Sequence, residues 1–395
     1  MNGGELLTMV SELDAGKALI QGIGTALPPY RLCQDDVFAK IEASLREDPH
    51  ALRWAKRIFK QCGVQIRYTC EEDFLKPADQ CTYLSTDKQQ AAPSTSRRME
   101  VYRRESVPLA ERAAEEAMRD AGTEAPGITH ILTVSCTGQF LPGLDTVLIH
   151  RLGLSPRIQR IPLTFQGCAA GLRAIQLAQG IVSSDPGAKV LVVCVELCTI
   201  HLQPSGSREA LFGASFFGDG ASACVVGSSH ANLQGGFRLG GGHSVLLPDS
   251  ADEMIWEVGD TGFDLFLSPN IPKLLRAFLQ DEVDRLLGGG PLPPLWAIHP
   301  GGRGIVDAVQ DLFALDDSQT GFSRNVLRDF GNLSSATLLF VLKGMREHLR
   351  KEKEESERSG VALAFGPGLT AELLRFTYVP TGIAERQMSY EYAGH

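Results

Sequence analysis

Residues 164–174, TFQGCAAGLRA, pose the question on which the fold turns. The stretch before them, RIQRIPLT (157–164), reads as extended chain. The stretch after the cysteine, AAGLRAIQLAQGIV (169–182), reads as helix, with Leu172, Ile175, Leu177, Ala178 and Ile181 as apolar contacts at roughly helical spacing. Cys168 therefore falls where a strand gives way to a helix, beside Gly167. Free N–H groups and the positive end of the helix dipole favour a thiolate there. The competing reading is a small buried core residue.

Working outward, three short apolar runs rich in β-branched residues lie around this stretch: HILTVSC (130–136), KVLVVCVEL (189–197) and SACVVGS (222–228). None alternates for long, as expected of strands covered on both faces. ALIQGIGTALP (18–28) is the expected first strand, and DPHALRWAKRIFKQCG (48–63) a helix. SVPLAERAAEEAMRDAG (106–122) also reads as a helix, with Ser106 as cap, Pro108 in its first turn and Gly122 after its end. Residues 71–100 are polar and interrupted, which predicts a loop or a partly ordered insertion. The second half has the same rhythm. Helices are expected near 271–286, 304–314 and 334–350, with LWAIHPGG (295–302) and GVALAFGPG (360–368) as strands ending in Gly-rich loops. Alternating strands and helices argue for an α/β fold in layers. KGMREHLRKEKEESERSG (343–360) predicts a solvated helix face and linker, and ERQMSYEYAGH (385–395) a flexible tail.

The bulk numbers narrow the function. The chain has 395 residues, 43% of them hydrophobic and 22% charged, which suits a globular protein with a sizeable core. A net charge of -9 argues against a nucleic-acid partner. No apolar run is long enough for a membrane span, and the N-terminus lacks a secretory pattern. Nine irregularly spaced cysteines without a C-x-x-C pair or zinc spacing fit reduced thiols in the cytoplasm and no metal.

Three polar residues occupy Gly-containing loops: Cys168 in QGCAAG, His299 in AIHPGG and Asn332 in DFGNLSS. Cys, His and Asn support two chemistries. In a hydrolase, Asn orients the His that activates Cys. In a decarboxylating condensing enzyme, Cys carries an acyl group as a thioester. His and Asn then donate hydrogen bonds to a malonyl thioester oxygen, where negative charge develops as carbon dioxide leaves. A neutral Asn suits that task, whereas an ionised Asp cannot donate. An imidazolium beside Cys168 would lower its pKa further. The papain-type context around the cysteine is absent.

Five blocks in order, QGCAAG, FFGDGASA, WAIHPGG, GNLSSA and AFGPGLT, resemble the signatures of the type III polyketide synthases, the chalcone synthase-like family, in its microbial (bacterial or fungal) form. FGDGA and GN-x-S also occur in ketoacyl-carrier-protein synthase III, which stays as an alternative beside a Cys-His-Asn hydrolase. The resemblance implies a thiolase fold, a duplicated αβαβα layered sandwich. Residues 1–235 would form the half with the nucleophile, and 236–395 the half with His299 and Asn332. It implies a homodimer with no bound cofactor, which loads an acyl-CoA starter on Cys168, extends it with malonyl-CoA and cyclises the product.

By the same resemblance, Phe217 falls on the gatekeeper position and Gly366, Pro367 and Gly368 on a cavity-shaping loop. Leu141 falls on the residue that reaches into the partner's cavity. Arg57, with Lys60 beside it, is the CoA phosphate contact, and backbone N–H of Gly304 touches the pantetheine arm. Cys136 and Cys198 stand where plant members carry threonines. SCTG and ELCT resemble microbial members that build alkylpyrones, alkylresorcinols or naphthalenes, and a less polar wall favours an alkyl starter and an alkylpyrone or alkylresorcinol-type product. His201 would instead narrow the cavity and favour a short or malonyl starter.

Overall fold

The computed structural model describes residues 18–86, 91–203, 205–228 and 235–381. The tail 385–395 lies outside the described residues. Strands are numbered in chain order: β1 Leu19–Ala26, β2 Tyr30–Cys33, β3 Ile66–Thr69, β4 His130–Ser135, β5 Gln159–Thr164, β6 Val190–Leu197 and β7 Asp219–Gly227. Then follow β8 Gly236–Leu246, β9 Met254–Gly259, β10 Gly262–Leu267, β11 Leu295–Ile298, β12 Arg358–Gly366 and β13 Thr370–Val379.

A nine-stranded sheet runs β11-β12-β13-β8-β1-β7-β6-β4-β5. Its pairing pattern occurs twice. On one side β4 and β6 are parallel, while β6–β7 and β7–β1 are antiparallel. On the other, β11 and β12 are parallel, while β12–β13 and β13–β8 are antiparallel. The antiparallel contact of β1 with β8 joins the two.

Side-chain alternation builds the layers. Leu191, Val193 and Val195 of β6 pack with Ala110, Ala113, Ala114 and Ala117 of the helix Thr95–Asp120. Val190, Val192 and Cys194 face the opposite way, onto the helices Ala170–Ser184 and Thr337–Lys351. Ala362 and Ala364 of β12 meet those same two helices from the far side. Val361, Leu363 and Phe365 point away, onto the helices Ile271–Leu287 and Arg303–Phe313. The order is α, β, α, β, α, the layering expected of a thiolase fold. The first outer helix sits on bare backbone: a Cβ on Gly24 of β1 would lie 2.1 Å from the Ala113 carbonyl oxygen.

Two expectations need correction. The first outer helix starts at Thr95, because the Ser94 hydroxyl accepts the Arg97 N–H at 3.3 Å. Ser106 and Pro108 therefore lie inside the helix and not at its start. The pull of the buried stripe from Val101 to Met118 outweighs the cost of one interior proline. The segment 343–360 is not solvated throughout, since Met345, Arg346 and Leu349 are buried and Arg346 pairs with Asp120.

Candidate active site

The two central helices each begin with a 3-10 turn, Gly167–Ala169 and Ser334–Ala336. Both turns open on one cavity of about 620 Å³, and the Gly-rich ends of β11 and β12 complete its floor. Cys168, His299 and Asn332 all line it, although they come from three separate loops. Gly167 carries a φ of 63°, and a Cβ on it would lie 2.2 Å from Pro367 Cδ. Only glycine lets the Gly167–Ala169 turn sit against the 366–368 loop.

The Asn332 side chain has a fixed orientation. Its Oδ1 accepts the Ser334 N–H at 2.8 Å and the Thr337 hydroxyl at 3.3 Å. Its Nδ2 is thereby turned into the cavity, 3.4 Å from the Gly301 carbonyl and 3.9 Å from Cys168 Sγ. His299 is 1% exposed, and neither ring nitrogen finds a hydrogen-bond partner among the described residues. Burial pulls its pKa down to about 3, so the ring is neutral and carries one N–H.

Cys168 is half-buried at the cavity floor, with its sulfur 3.5 Å from Ser334 Oγ. Burial pushes the thiol up to about 11, against the lowering effect of the Ser334 and Asn332 hydrogen bonds. Burial thus favours a neutral thiol and a neutral imidazole over the expected thiolate and imidazolium. Desolvation outweighs the helix-start field here.

Comparison with known proteins fits this constellation. Residues 8–230 match the family model for chalcone and stilbene synthases, N-terminal domain, and residues 240–380 match the corresponding C-terminal domain. The chain belongs to the type III polyketide synthases. It is 31% identical over 378 residues to type III polyketide synthase 10 of Oryza sativa subsp. japonica, covering 90% of this chain and 91% of that one. PKS-I from the brown alga Ectocarpus siliculosus superposes with a TM-score of 0.84 at 26% identity, covering 91% of this chain and 98% of its own. The fungal type III polyketide synthase ORAS superposes with a TM-score of 0.80 at 28% identity, covering 91% and 99%. The chain is therefore a condensing acyltransferase of the thiolase fold, and its family works on acyl-CoA and malonyl-CoA without a cofactor. No helix among the described residues is long and apolar enough to cross a membrane.

Within this family frame, Cys136, Cys198, Phe217, Pro367, Arg57 and Gly304 also line the cavity. Gly366 and Gly368 set the backbone of their loop without lining it. Leu141 is 90% exposed and away from this chain's own cavity. Lys60 is exposed on another face of its helix, because the lining positions Trp54, Arg57, Ile58 and Gln61 follow the helical repeat and 60 falls outside it.

His201 is corrected most sharply. It does not line the cavity. Its ring stacks on Phe263 at 4.1 Å and meets Trp256 edge-on. Its Nδ1 accepts the Phe263 N–H at 3.0 Å, which leaves Nε2–H to donate to the Thr137 carbonyl at 2.6 Å. It braces the wall from behind.

Sequence reasoning missed that wall. The hairpin β9–β10 supplies Met254, Trp256, Leu265 and Leu267. Its signal was present as two apolar runs around Gly-Asp-Thr-Gly (259–262). Also missed were Trp54 and Arg208 near the mouth, where the Arg208 guanidinium lies 4.1 Å over the Trp54 ring. Glu196 was missed too. It is buried, accepts the Thr137 hydroxyl at 2.7 Å and the Cys136 N–H at 3.1 Å, and burial raises its pKa.

Proposed function

We propose that Cys168 is the acyl carrier, and that His299 and Asn332 drive decarboxylation of malonyl-CoA. The observation that carries this is the pair of buried, unpartnered nitrogens on His299. A buried polar group without a partner is costly, and a substrate oxygen that accepts its N–H repays that cost.

The cycle follows from these atoms. The Cys168 sulfur attacks the starter thioester carbonyl as its proton passes, through the His299 ring that lines the same cavity, to the departing CoA. CoA leaves and the acyl group stays on sulfur. Malonyl-CoA then places its thioester oxygen between the His299 N–H and the Asn332 Nδ2–H. Its carboxylate leaves as carbon dioxide, and the charge left on the enolate oxygen is held by those two donors. The enolate carbon attacks the acyl carbonyl on Cys168. The bond from Cys168 sulfur to the acyl carbon breaks and the extended chain departs on the incoming CoA. The expelled thiolate either takes up the chain again for the next extension or gains a proton from solvent and returns to the resting thiol. Phe217, 4.7 Å from Phe216 and 6.3 Å from Trp256, closes the aromatic side of the site against water.

The reading extends to the whole molecule. Residues 1–235 act as the nucleophile half and 236–395 as the half that bears His299 and Asn332. Leu141, exposed in this chain, together with the open edge of β5, supports a homodimer in which Leu141 reaches the partner's cavity. Arg57 takes the CoA phosphates and the Gly304 backbone the pantetheine arm. Nine free cysteines suit a reducing cytoplasm. The apolar wall favours a fatty acyl starter and an alkylpyrone or alkylresorcinol-type product.

Mass spectrometry after incubation with acyl-CoA and malonyl-CoA, with no carrier protein, tests the core of it. An acyl adduct mapped to Cys168 and products that grow in two-carbon steps are expected. Label on Cys136 or Cys198 instead would overturn the assignment, and sedimentation as a monomer would overturn the dimer.

A further inference from the structure

Arg67, on β3, is fully buried and has no carboxylate at hydrogen-bond distance among the described residues. Its Nη1 donates to the carbonyls of Ala214 at 2.6 Å and Phe217 at 2.9 Å. Its Nη2 donates to the Ser215 carbonyl at 3.0 Å and to the Gln34 amide oxygen. Gln34 Nε2 reaches the same Ser215 carbonyl at 2.7 Å. These carbonyls close the helix Arg208–Phe216. A helix end leaves its last carbonyls without partners, and the negative pole of its dipole favours a cation there.

The Phe216 carbonyl has a different partner. It accepts the backbone N–H of Asn332 at 2.7 Å, and the Gly218 N–H returns to the Asn332 carbonyl at 3.1 Å. The helix end, Phe217 and Asn332 are thus one hydrogen-bonded unit with Arg67 at its centre. Packing leaves little slack in it. A Cβ on Gly218 would lie 2.6 Å from the Phe330 carbonyl oxygen, and one on Gly331 would lie 2.5 Å from that of Phe216. Burial lowers the Arg67 pKa to about 10, which keeps the group cationic at neutral pH.

We infer that Arg67 is a positioning residue for decarboxylation: by holding the carbonyls of Ala214, Ser215 and Phe217 it fixes the backbone that carries both Phe217 and the Asn332 amide. The inference rests on the role proposed above for Asn332. Loading is spared, because Cys168 stands on a separate turn, Gly167–Ala169, to which Arg67 makes no hydrogen bond. A misplacement of about 1 Å at a reacting group costs on the order of a hundredfold in rate.

Arg67→Lys tests this, since a lysine ammonium lacks the planar fork that spans several carbonyls. Carbon dioxide release from malonyl-CoA is expected to fall about ten- to a hundredfold, while acyl transfer to Cys168 stays within about threefold. Adding Arg67→Lys to Asn332→Ala should cost less than about twofold more, because both act at one point. Equal falls in loading and decarboxylation, or fully additive losses in the double variant, would overturn the inference. If Arg67→Lys does not fold, Gln34→Ala removes the brace and keeps the cation. Its decarboxylation should fall at least about threefold more than its loading, and equal falls again overturn the inference. A wild-type decarboxylation rate in Asn332→Ala alone would sink the Asn332 role and this inference together. A damaged Asn332→Ala beside a uniformly slowed Arg67→Lys sinks only the inference.

Discussion

The Ser334 N–H donates to Asn332 Oδ1 at 2.8 Å, and this bond, with a longer one from the Thr337 hydroxyl, turns the amide nitrogen toward the cavity. Asn332→Asp keeps that acceptor and puts a second oxygen where Nδ2 stood, 3.4 Å from the Gly301 carbonyl. Asn332→Ala merely loses the donor. Loss of one such donor costs on the order of a hundredfold or more. Asn332→Asp is expected to be slower still in releasing carbon dioxide from malonyl-CoA, because its charge repels the malonyl carboxylate. A rate at or above that of Asn332→Ala would show that repulsion plays no part.

Gly167 and Pro367 make the turn that carries Cys168 intolerant of a side chain. Gly167→Ala would place its Cβ 2.2 Å from Pro367 Cδ on a residue with a φ of 63°. Overpacking of this kind costs about 1–3 kcal/mol. The expected result is a lower midpoint in urea, and slower acylation of Cys168 as the turn shifts. Unchanged stability and unchanged acylation together would mean that the two loops are free to part.

The buried histidines weaken the fold in acid. His201 and His299 both have folded pKa values pulled down to about 3 by burial, against an ordinary 6.5. Between these values the unfolded chain binds protons that the folded chain refuses. Their contribution is therefore fully present above about pH 6.5 and is lost as pH falls toward 3. Each such group contributes a slope of up to about 1.4 kcal/mol per pH unit. His299→Gln is expected to remove one group's share, giving a shallower loss of stability between pH 6 and pH 4 in urea titrations. An identical slope would mean that His299 charges without unfolding the chain.

What the sequence revealed, and what it hid, follows from the range of the interactions. β1, β6, β7 and β12 were legible because each is a short apolar run that needs only its own residues to be recognised. Cys168, His299 and Asn332 were legible because each lies in a Gly-rich loop after or before such a run. His201 was misplaced because its orientation depends on Phe263 and Thr137, more than sixty residues away along the chain. Arg67 was invisible for the same reason, its carbonyl partners lying 147 to 150 residues further on. The start of the helix at Thr95 was hidden by charge, since its first turns read as polar and their buried face shows only once the β9–β10 hairpin and residues 200–202 are in place, where Thr95 meets Gly262 and Arg98 meets the Leu202 carbonyl.

Two guanidinium groups flank Trp54 near the cavity mouth, Arg208 at 4.1 Å and Arg57 at 5.9 Å from the ring. Arg303 beside them is already paired with Asp307 at 3.2 Å. Arg57→Ala is expected to raise KM for acyl-CoA and malonyl-CoA alike, by roughly tenfold for the loss of one charge-assisted hydrogen bond, with kcat nearly unchanged. The effect should shrink as salt rises. A change in kcat without a change in KM would place the CoA phosphates elsewhere.

Cys136 tests what the cavity admits. Its sulfur lies 3.1 Å from Ser334 Oγ, which in turn lies 3.5 Å from Cys168 Sγ, so it is part of the wall beside the growing chain. Beside it, Trp256 donates its indole N–H to the Cys136 carbonyl at 2.9 Å, and Met254, Leu265 and Leu267 line the same cavity, giving an apolar surface that suits an alkyl chain. Each methylene buried there contributes about 0.8 kcal/mol, so length selection compounds quickly. Cys136→Phe is expected to fill this corner and shift preference toward short starters, because overpacking a fitted site costs about 1–3 kcal/mol. The measurement is kcat/KM for acetyl-, hexanoyl- and palmitoyl-CoA on both proteins. The wild type should favour the longer two and the variant the shortest. A wild type that ignores fatty acyl starters would remove the alkyl reading, and an unchanged preference in the variant would place the chain along another wall of the cavity.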